Sequence, residues 1–143
     1  MKSKSLSHDD SSGFDFAKEM LCGDVTAAIN FDRIQKHPKK GYIIFEYLLC
    51  EETQAVNPYT SHPNRYWKKN SRKFIALWNI AKDLNATLIL VNYAKKGTKH
   101  EDKVKIIIPK EIDNFQGIMK ETTQNFTRES FSTWFRQLNK DCL

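Results

Sequence analysis

The 143-residue chain predicts an α/β fold of the α+β kind, with a central mixed sheet flanked by helices. Three stretches carry that prediction. Residues 42–49 (YIIFEYLL) and 87–93 (TLILVNY) are apolar runs of strand length, as strands covered by other elements read. Residues 65–84 instead place Trp67, Phe74, Leu77, Trp78 and Ala81 on one side of a helical wheel, with Arg65, Arg72 and Asp83 opposite. A content of 40% hydrophobic and 12% aromatic residues excludes a disordered chain and suits one domain with its own core.

Taken in order, residues 1–12 (MKSKSLSHDDSS) are polar and predict a mobile tail, and residues 13–143 a single domain. Phe16, Met20 and Leu21 predict a short helix over 14–22, with Ser12 as N-cap and Gly23 as terminator. Residues 24–31 (DVTAAINF) alternate with period two and predict a strand. Residues 35–41, with Pro38, Gly41 and several charges, predict the turn of a hairpin whose second strand is 42–49. A polar loop over 51–64 leads to the long helix, and Asn85 suits its C-terminal cap. Residues 95–103 are a charged turn and 104–108 (VKIII) a strand that Pro109 ends. Residues 109–126 read as irregular or weakly helical. Thr127 then caps a last helix, whose stripe of Phe131, Trp134, Phe135 and Leu138 docks on the core.

The formal net charge of +6 points to a polyanionic partner, nucleic acid first. Cys22, Cys50 and Cys142 form neither a CxxC pair nor an even set, so neither a disulfide framework nor a zinc site is implied. No apolar run reaches membrane-spanning length and no signal-peptide core is legible. The expected location is cytoplasmic and no membrane partner is expected.

Glu46 carries the most chemical information. It sits inside an apolar strand, where an ionised carboxylate is costly unless paired or bound to a metal. Asp24 opens the preceding alternating run. A symmetric turn sets Glu46 opposite Ile29, and a loop skewed toward the first strand brings Asp24 closer. Register decides whether the acids meet, and Glu51 or Glu52 are further candidates to face Asp24. Two carboxylates on adjacent strands can hold Mg2+ or Mn2+, hard cations that keep waters and take phosphate oxygens. Glu19, one turn before the end of the first helix, could add a third carboxylate.

A helix with Glu19, a strand with Asp24, a strand with Glu46, then a helix and a strand: this order resembles the PD-(D/E)XK nuclease-like superfamily over residues 14–93. The resemblance implies a restriction-endonuclease-like core, Mg2+ and hydrolysis of phosphodiester bonds. Glu46-Tyr47-Leu48 matches the (D/E)-X-K tripeptide at its acid, with leucine at the lysine position. In such cases the superfamily can draw its lysine from the following helix, which here offers Lys73 at the edge of the apolar face and Lys69 slightly further round. That lysine would steady the attacking hydroxide and the developing phosphorane charge.

Arg65, Lys68, Lys69 and Arg72 interleave with Tyr66 and Trp67 and are the candidate substrate-binding residues. Lys36, Lys39 and Lys40, and Lys95, Lys96, Lys99 and Lys103, form further basic groups. Of the four histidines, His62 in the loop before the basic helix is placed to touch a phosphate. Asn70 falls on the buried side of the wheel and needs a hydrogen-bond partner there. The function expected is a metal-dependent nuclease acting on DNA or RNA, with Asp24 and Glu46 as metal ligands, Glu19 in support and Lys73 assisting. The alternatives are an inactive relative that binds nucleic acid, and a protein-interaction module built on the aromatic C-terminal helix. A homodimer is admitted by the same reading.

Overall fold

A five-stranded mixed sheet forms because a two-stranded hairpin and a three-stranded antiparallel meander are joined by one helical crossover. The computed structural model describes residues 11–143. The elements are α1 (Ser12–Leu21), β1 (Arg33–His37), β2 (Gly41–Leu49), α2 (Trp67–Asp83), β3 (Thr87–Tyr93), β4 (Lys103–Asp113), β5 (Gly117–Thr127) and α3 (Arg128–Asp141). Strand order follows the chain, β1-β2-β3-β4-β5. Only β2 and β3 run parallel, and α2 makes the long connection such a pair requires. The class is α+β, as the sequence predicts. Of the expected tail, residues 1–10 lie outside the described residues, and Ser12 opens α1 instead of capping it.

The sheet separates two cores by simple alternation. Even positions of β2 and β3, such as Ile44, Leu88 and Leu90, meet Trp67, Phe74, Leu77 and Ala81 of α2. Odd positions, such as Ile43, Phe45, Ile89 and Val91, meet Phe131, Trp134, Phe135 and Leu138 of α3. β3 is therefore covered on both faces, which is why its run lacks alternation. The aromatic stripe of α3 lies against this second core, with Phe45 and Phe135 edge-to-face at 5.4 Å. Thr127 caps α3 through a reciprocal hydrogen-bond pair with Ser130.

Three predicted elements are corrected. Residues 24–31 form no strand; the partner of β2 is β1, which begins nine residues later, at Arg33. The turn decides this. His37 pairs with Gly41 across Pro38, Lys39 and Lys40. His37 Nδ1 accepts the N–H groups of both Lys39 and Lys40 at 3.1 Å. Gly41 takes the positive φ of 77° that closes such a three-residue loop. With β1 filling that place, residues 24–31 have no ladder partner and remain exposed.

Pro109 does not end β4, because a register irregularity between Pro109 and Glu111 absorbs its missing N–H. Residues 117–127 are a strand rather than irregular or helical. β5 is a sheet edge with Thr122, Thr123, Gln124 and Asn125 exposed, so it lacks an apolar signal.

The loop before α2 guards that edge. Tyr59 Oη donates to Phe126 O at 2.7 Å, and His62 Nε2 meets Glu121 Oε1 at 2.6 Å. Asn64 exchanges two hydrogen bonds with the backbone of Ile118, and Trp67 Nε1 donates to Asn114 O. As the loop advances, its partners retreat along β5, so it runs as a strap antiparallel to the strand. Buried Asn92 secures it from the sheet by donating to Pro58 O and Ser61 O. Polar cover of this kind keeps an edge from pairing with other chains.

Candidate active site

Glu46 lies on the α2 face of β2, between Ile44 and Leu48 in the alternation. Its side chain is 9% exposed, and Lys73 Nζ stands 2.8 Å from its Oε1. Lys73 precedes the buried Phe74 on α2, at the margin of the helix face that docks on the sheet. From there its ammonium reaches back over the strand, 5.4 Å from the Phe74 ring.

The second oxygen, Glu46 Oε2, is buried and has no hydrogen-bond partner. Buried carboxylate oxygens are rarely left so. Burial pushes the Glu46 carboxyl above the ordinary range; the hydrogen bond and charge of Lys73 oppose this, and the nearby Asp32 carboxylate adds to it, by its charge and as hydrogen-bond acceptor for the protonated Glu46 carboxyl.

Asp32 is fixed by the end of the β1–β2 ladder. The last pair is Arg33 with Phe45. Asp32 N still donates to Phe45 O at 3.2 Å, and its Oδ2 accepts Tyr47 N at 2.8 Å. The Asp32 side chain thus takes the place of the next backbone acceptor, beside the Glu46–Tyr47 peptide. One buried and one exposed carboxylate come together where the strand pair opens to solvent, with a single lysine against them.

Comparison with known protein families, characterised proteins and solved structures finds no match for this chain. The site is read from its own chemistry.

Of the sequence-predicted residues, Glu46 and Lys73 are brought together. Asp24 is exposed outside the sheet and borders a surface hollow with Phe14, Lys18 and Leu21. The charges acting on Glu46 are those of Lys73 and Asp32, and Asp24 is not among them. Glu19 is exposed on α1, where its backbone oxygen accepts Cys22 N. Glu51 and Glu52 are exposed in the loop after β2, and Glu52 accepts Lys99 N.

Arg65, Lys68, Lys69 and Arg72 are exposed, and none enters an ion pair among the described residues. Asn70 is exposed rather than buried, although Trp67 and Phe74, one turn to either side of it on α2, are buried. His62 has both ring nitrogens engaged, by Glu121 and by Asn64 N.

Asp32 escaped the sequence reading, yet its signal was present. A hairpin closed tightly on Pro38-Lys39-Lys40-Gly41 sets residue 33 against residue 45 and leaves Asp32 beside Glu46.

The donor set fits a hard divalent cation: two carboxylates, one with a free buried oxygen. Among the described residues no group of three or more His, Cys, Asp or Glu side chains gathers as a metal site. Mg2+ does not require one, since it commonly binds through one or two carboxylates plus waters and phosphate oxygens.

Proposed function

We propose that the protein is a metal-dependent nuclease-like hydrolase of phosphodiester bonds in DNA or RNA. Asp32 and Glu46 would hold Mg2+ or Mn2+, and Lys73 would act beside them. The observation that carries this reading is the buried Glu46 carboxylate with one oxygen on Lys73 and the other without a partner. In this reading Asp32 takes the role that the sequence assigned to Asp24. The Tyr47 carbonyl is a further oxygen, since in an extended strand it points to the same edge as its N–H, which Asp32 accepts.

When bound, the cation would supply Lewis acidity and a water of lowered pKa. The chain's own residues have separate tasks. Glu46 and Asp32 fix the position of the charge, with Glu46 oriented by Lys73. The Lys73 ammonium would serve a phosphate oxygen or the attacking hydroxide beside the carboxylates. Its 43% exposure leaves it open to such a group. Arg65, Lys68, Lys69 and Arg72 would take backbone phosphates, giving salt-dependent and largely sequence-independent affinity. In this proposal the resemblance to the PD-(D/E)XK nuclease-like superfamily rests on the order of helix, hairpin with acid, helix with lysine and parallel strand. Among the described residues no helix is long and apolar enough to cross a membrane, and all three cysteines are free, in line with a cytoplasmic location.

One observation favours a second reading, a catalytically inactive relative that binds nucleic acid. Lys73 already neutralises Glu46, as a purely structural ion pair would. The experiment that separates the two is cleavage of single- and double-stranded DNA and RNA with Mg2+ or Mn2+, comparing wild type, Glu46→Gln and Asp32→Asn. Metal-dependent cutting lost in both variants supports the nuclease. Salt-sensitive binding without cutting in the wild type supports the inactive relative.

A further inference from the structure

The β1–β2 hairpin carries a second group of side chains on the face that bears Glu46. Tyr42 shares the parity of Ile44 and Glu46, and its ladder partner is Lys36. Lys36 Nζ lies 5.3 Å from the centre of the Tyr42 ring. Where α2 buries Ile44 completely, it leaves Tyr42 38% exposed, and Ile34 beside it is exposed as well. The turn adds Lys39 and Lys40, both exposed. From residue 33 to residue 45 there are four cationic side chains and no acidic one. Tyr42 and Glu46 are four residues apart on one strand, hence about 13 Å at ~3.3 Å per residue.

We infer that Tyr42, with Lys36, Lys39 and Lys40, is a stacking platform for an unpaired base of a single-stranded nucleic acid whose backbone continues toward the Asp32–Glu46 carboxylates. This rests on the nucleic-acid reading above and narrows its substrate to single strands or unpaired ends. A half-exposed aromatic ring flanked by lysines offers what a splayed base needs, a flat apolar face and cations for the adjoining phosphates. A blunt duplex keeps its bases stacked and offers Tyr42 nothing but backbone. The spacing sets the stacked base no more than about four nucleotides from the phosphate at the carboxylates, taking about 3.4 Å per stacked nucleotide.

The test uses the full chain in EDTA, so that binding is read without cleavage. A short labelled oligo(dT) or oligo(U) is compared with a blunt duplex of mixed sequence by fluorescence anisotropy. Tyr42→Ala is expected to weaken single-strand binding about fivefold or more and leave duplex binding unchanged, with Tyr42→Phe retaining wild-type affinity. Replacing both Lys39 and Lys40 by Ala should lower the salt slope on single strands by roughly 0.7 per lysine. In the unmutated protein, photocrosslinking to an oligonucleotide carrying 5-iodouracil should label Tyr42.

Equal losses on single strand and duplex, no loss in Tyr42→Ala, or adducts confined to residues 65–73 would overturn the platform. Failure of the nuclease reading shows separately, as absence of metal-dependent cleavage with the Tyr42 contact intact. A chain that binds neither polymer refutes both.

Discussion

Lys73 Nζ and Glu46 Oε1 stand 2.8 Å apart, the lysine on α2 at the solvent margin and the glutamate within the sheet. The pair is unequal. Lys73 retains access to water, whereas Glu46 is nearly buried, with one oxygen on Lys73 and the other buried without a partner. Asp32, held at Tyr47 N, adds a second negative charge to the same place. Two carboxylates against one ammonium leave a local deficit of positive charge, which costs stability.

The first expected consequence is a pH dependence. The folded-state pKa of Glu46 lies above its ordinary value of 4.5. Between the two values the folded chain binds more protons than the unfolded one, so stability falls as pH rises through that window and then levels. Glu46→Gln removes the carboxylate while keeping its shape. The variant should exceed the wild type in stability at neutral pH by about 0.5–2 kcal/mol, as relief of a strained functional site does. The difference should shrink as pH is lowered toward 4.5. Urea unfolding of both proteins across this range measures it; a wild type more stable than Glu46→Gln at neutral pH would contradict the account of the site.

Removing the other partner should do the opposite. Lys73→Met leaves Glu46 with no cation, and breaking one side of a buried pair costs about 3–5 kcal/mol when both groups are buried. Lys73 is partly exposed, so the expected loss is smaller, about 1–2 kcal/mol at pH 7. Most of that loss should vanish in the double variant Glu46→Gln/Lys73→Met. A double-mutant cycle by denaturant unfolding gives the coupling, and additive effects would mean that the 2.8 Å contact carries no energy.

Divalent metal should act as a stabiliser of the folded state only. At a free concentration about a hundred times Kd the gain is about 2.7 kcal/mol, read as a rise in Tm with Mn2+ or Mg2+. Glu46→Gln and Asp32→Asn should each abolish that rise. Asp24→Asn should leave it intact, because Asp24 is outside the sheet and does not act on Glu46. A metal response lost in Asp24→Asn but kept in Asp32→Asn would restore the assignment made from sequence and refute the one made from register.

The sequence disclosed what depends on local pattern. The runs at 42–49 and 87–93 declared two strands, and the stripe from Phe131 to Leu138 declared α3, because burial on defined faces leaves a period. It misplaced what depends on pairing. Residues 24–31 alternate well, yet alternation states only what a strand would bury. β1 pairs with β2 through Arg33, Gln35 and His37 on one side and Ile34 and Lys36 on the other, a set with little hydrophobic signal. β5 was invisible for the same reason, since an edge strand covered by a polar strap needs few apolar residues. Glu46 and Lys73 were legible because burial of a charge within an apolar run demands an answer from the next helix. Asp32 required the exact turn.

The strap over β5 gives the last expectation. Gly117 closes the β4–β5 turn at a φ of 96°, where residues with a Cβ are strained. A Cβ there would also meet Asn64 Cγ at 2.8 Å and Trp67 Cδ2 at 3.1 Å. Those two residues are the ones that fasten the strap to Ile118 and Asn114. Gly117→Ala should therefore cost more than about 1 kcal/mol, the ordinary scale of glycine effects, because conformational strain and displacement of Asn64 act together. Asn64→Ala, which leaves Ile118 N and O without their partner, should cost about 1–3 kcal/mol. In the combined variant the two losses should be less than additive, since Gly117→Ala already disturbs Asn64. Hydrogen exchange at Ile118 distinguishes the cause: its amide should lose protection in both single variants under conditions where Leu90, in the sheet centre, keeps its own. Unchanged protection at Ile118 in Gly117→Ala would show that the turn relaxes without moving the strap.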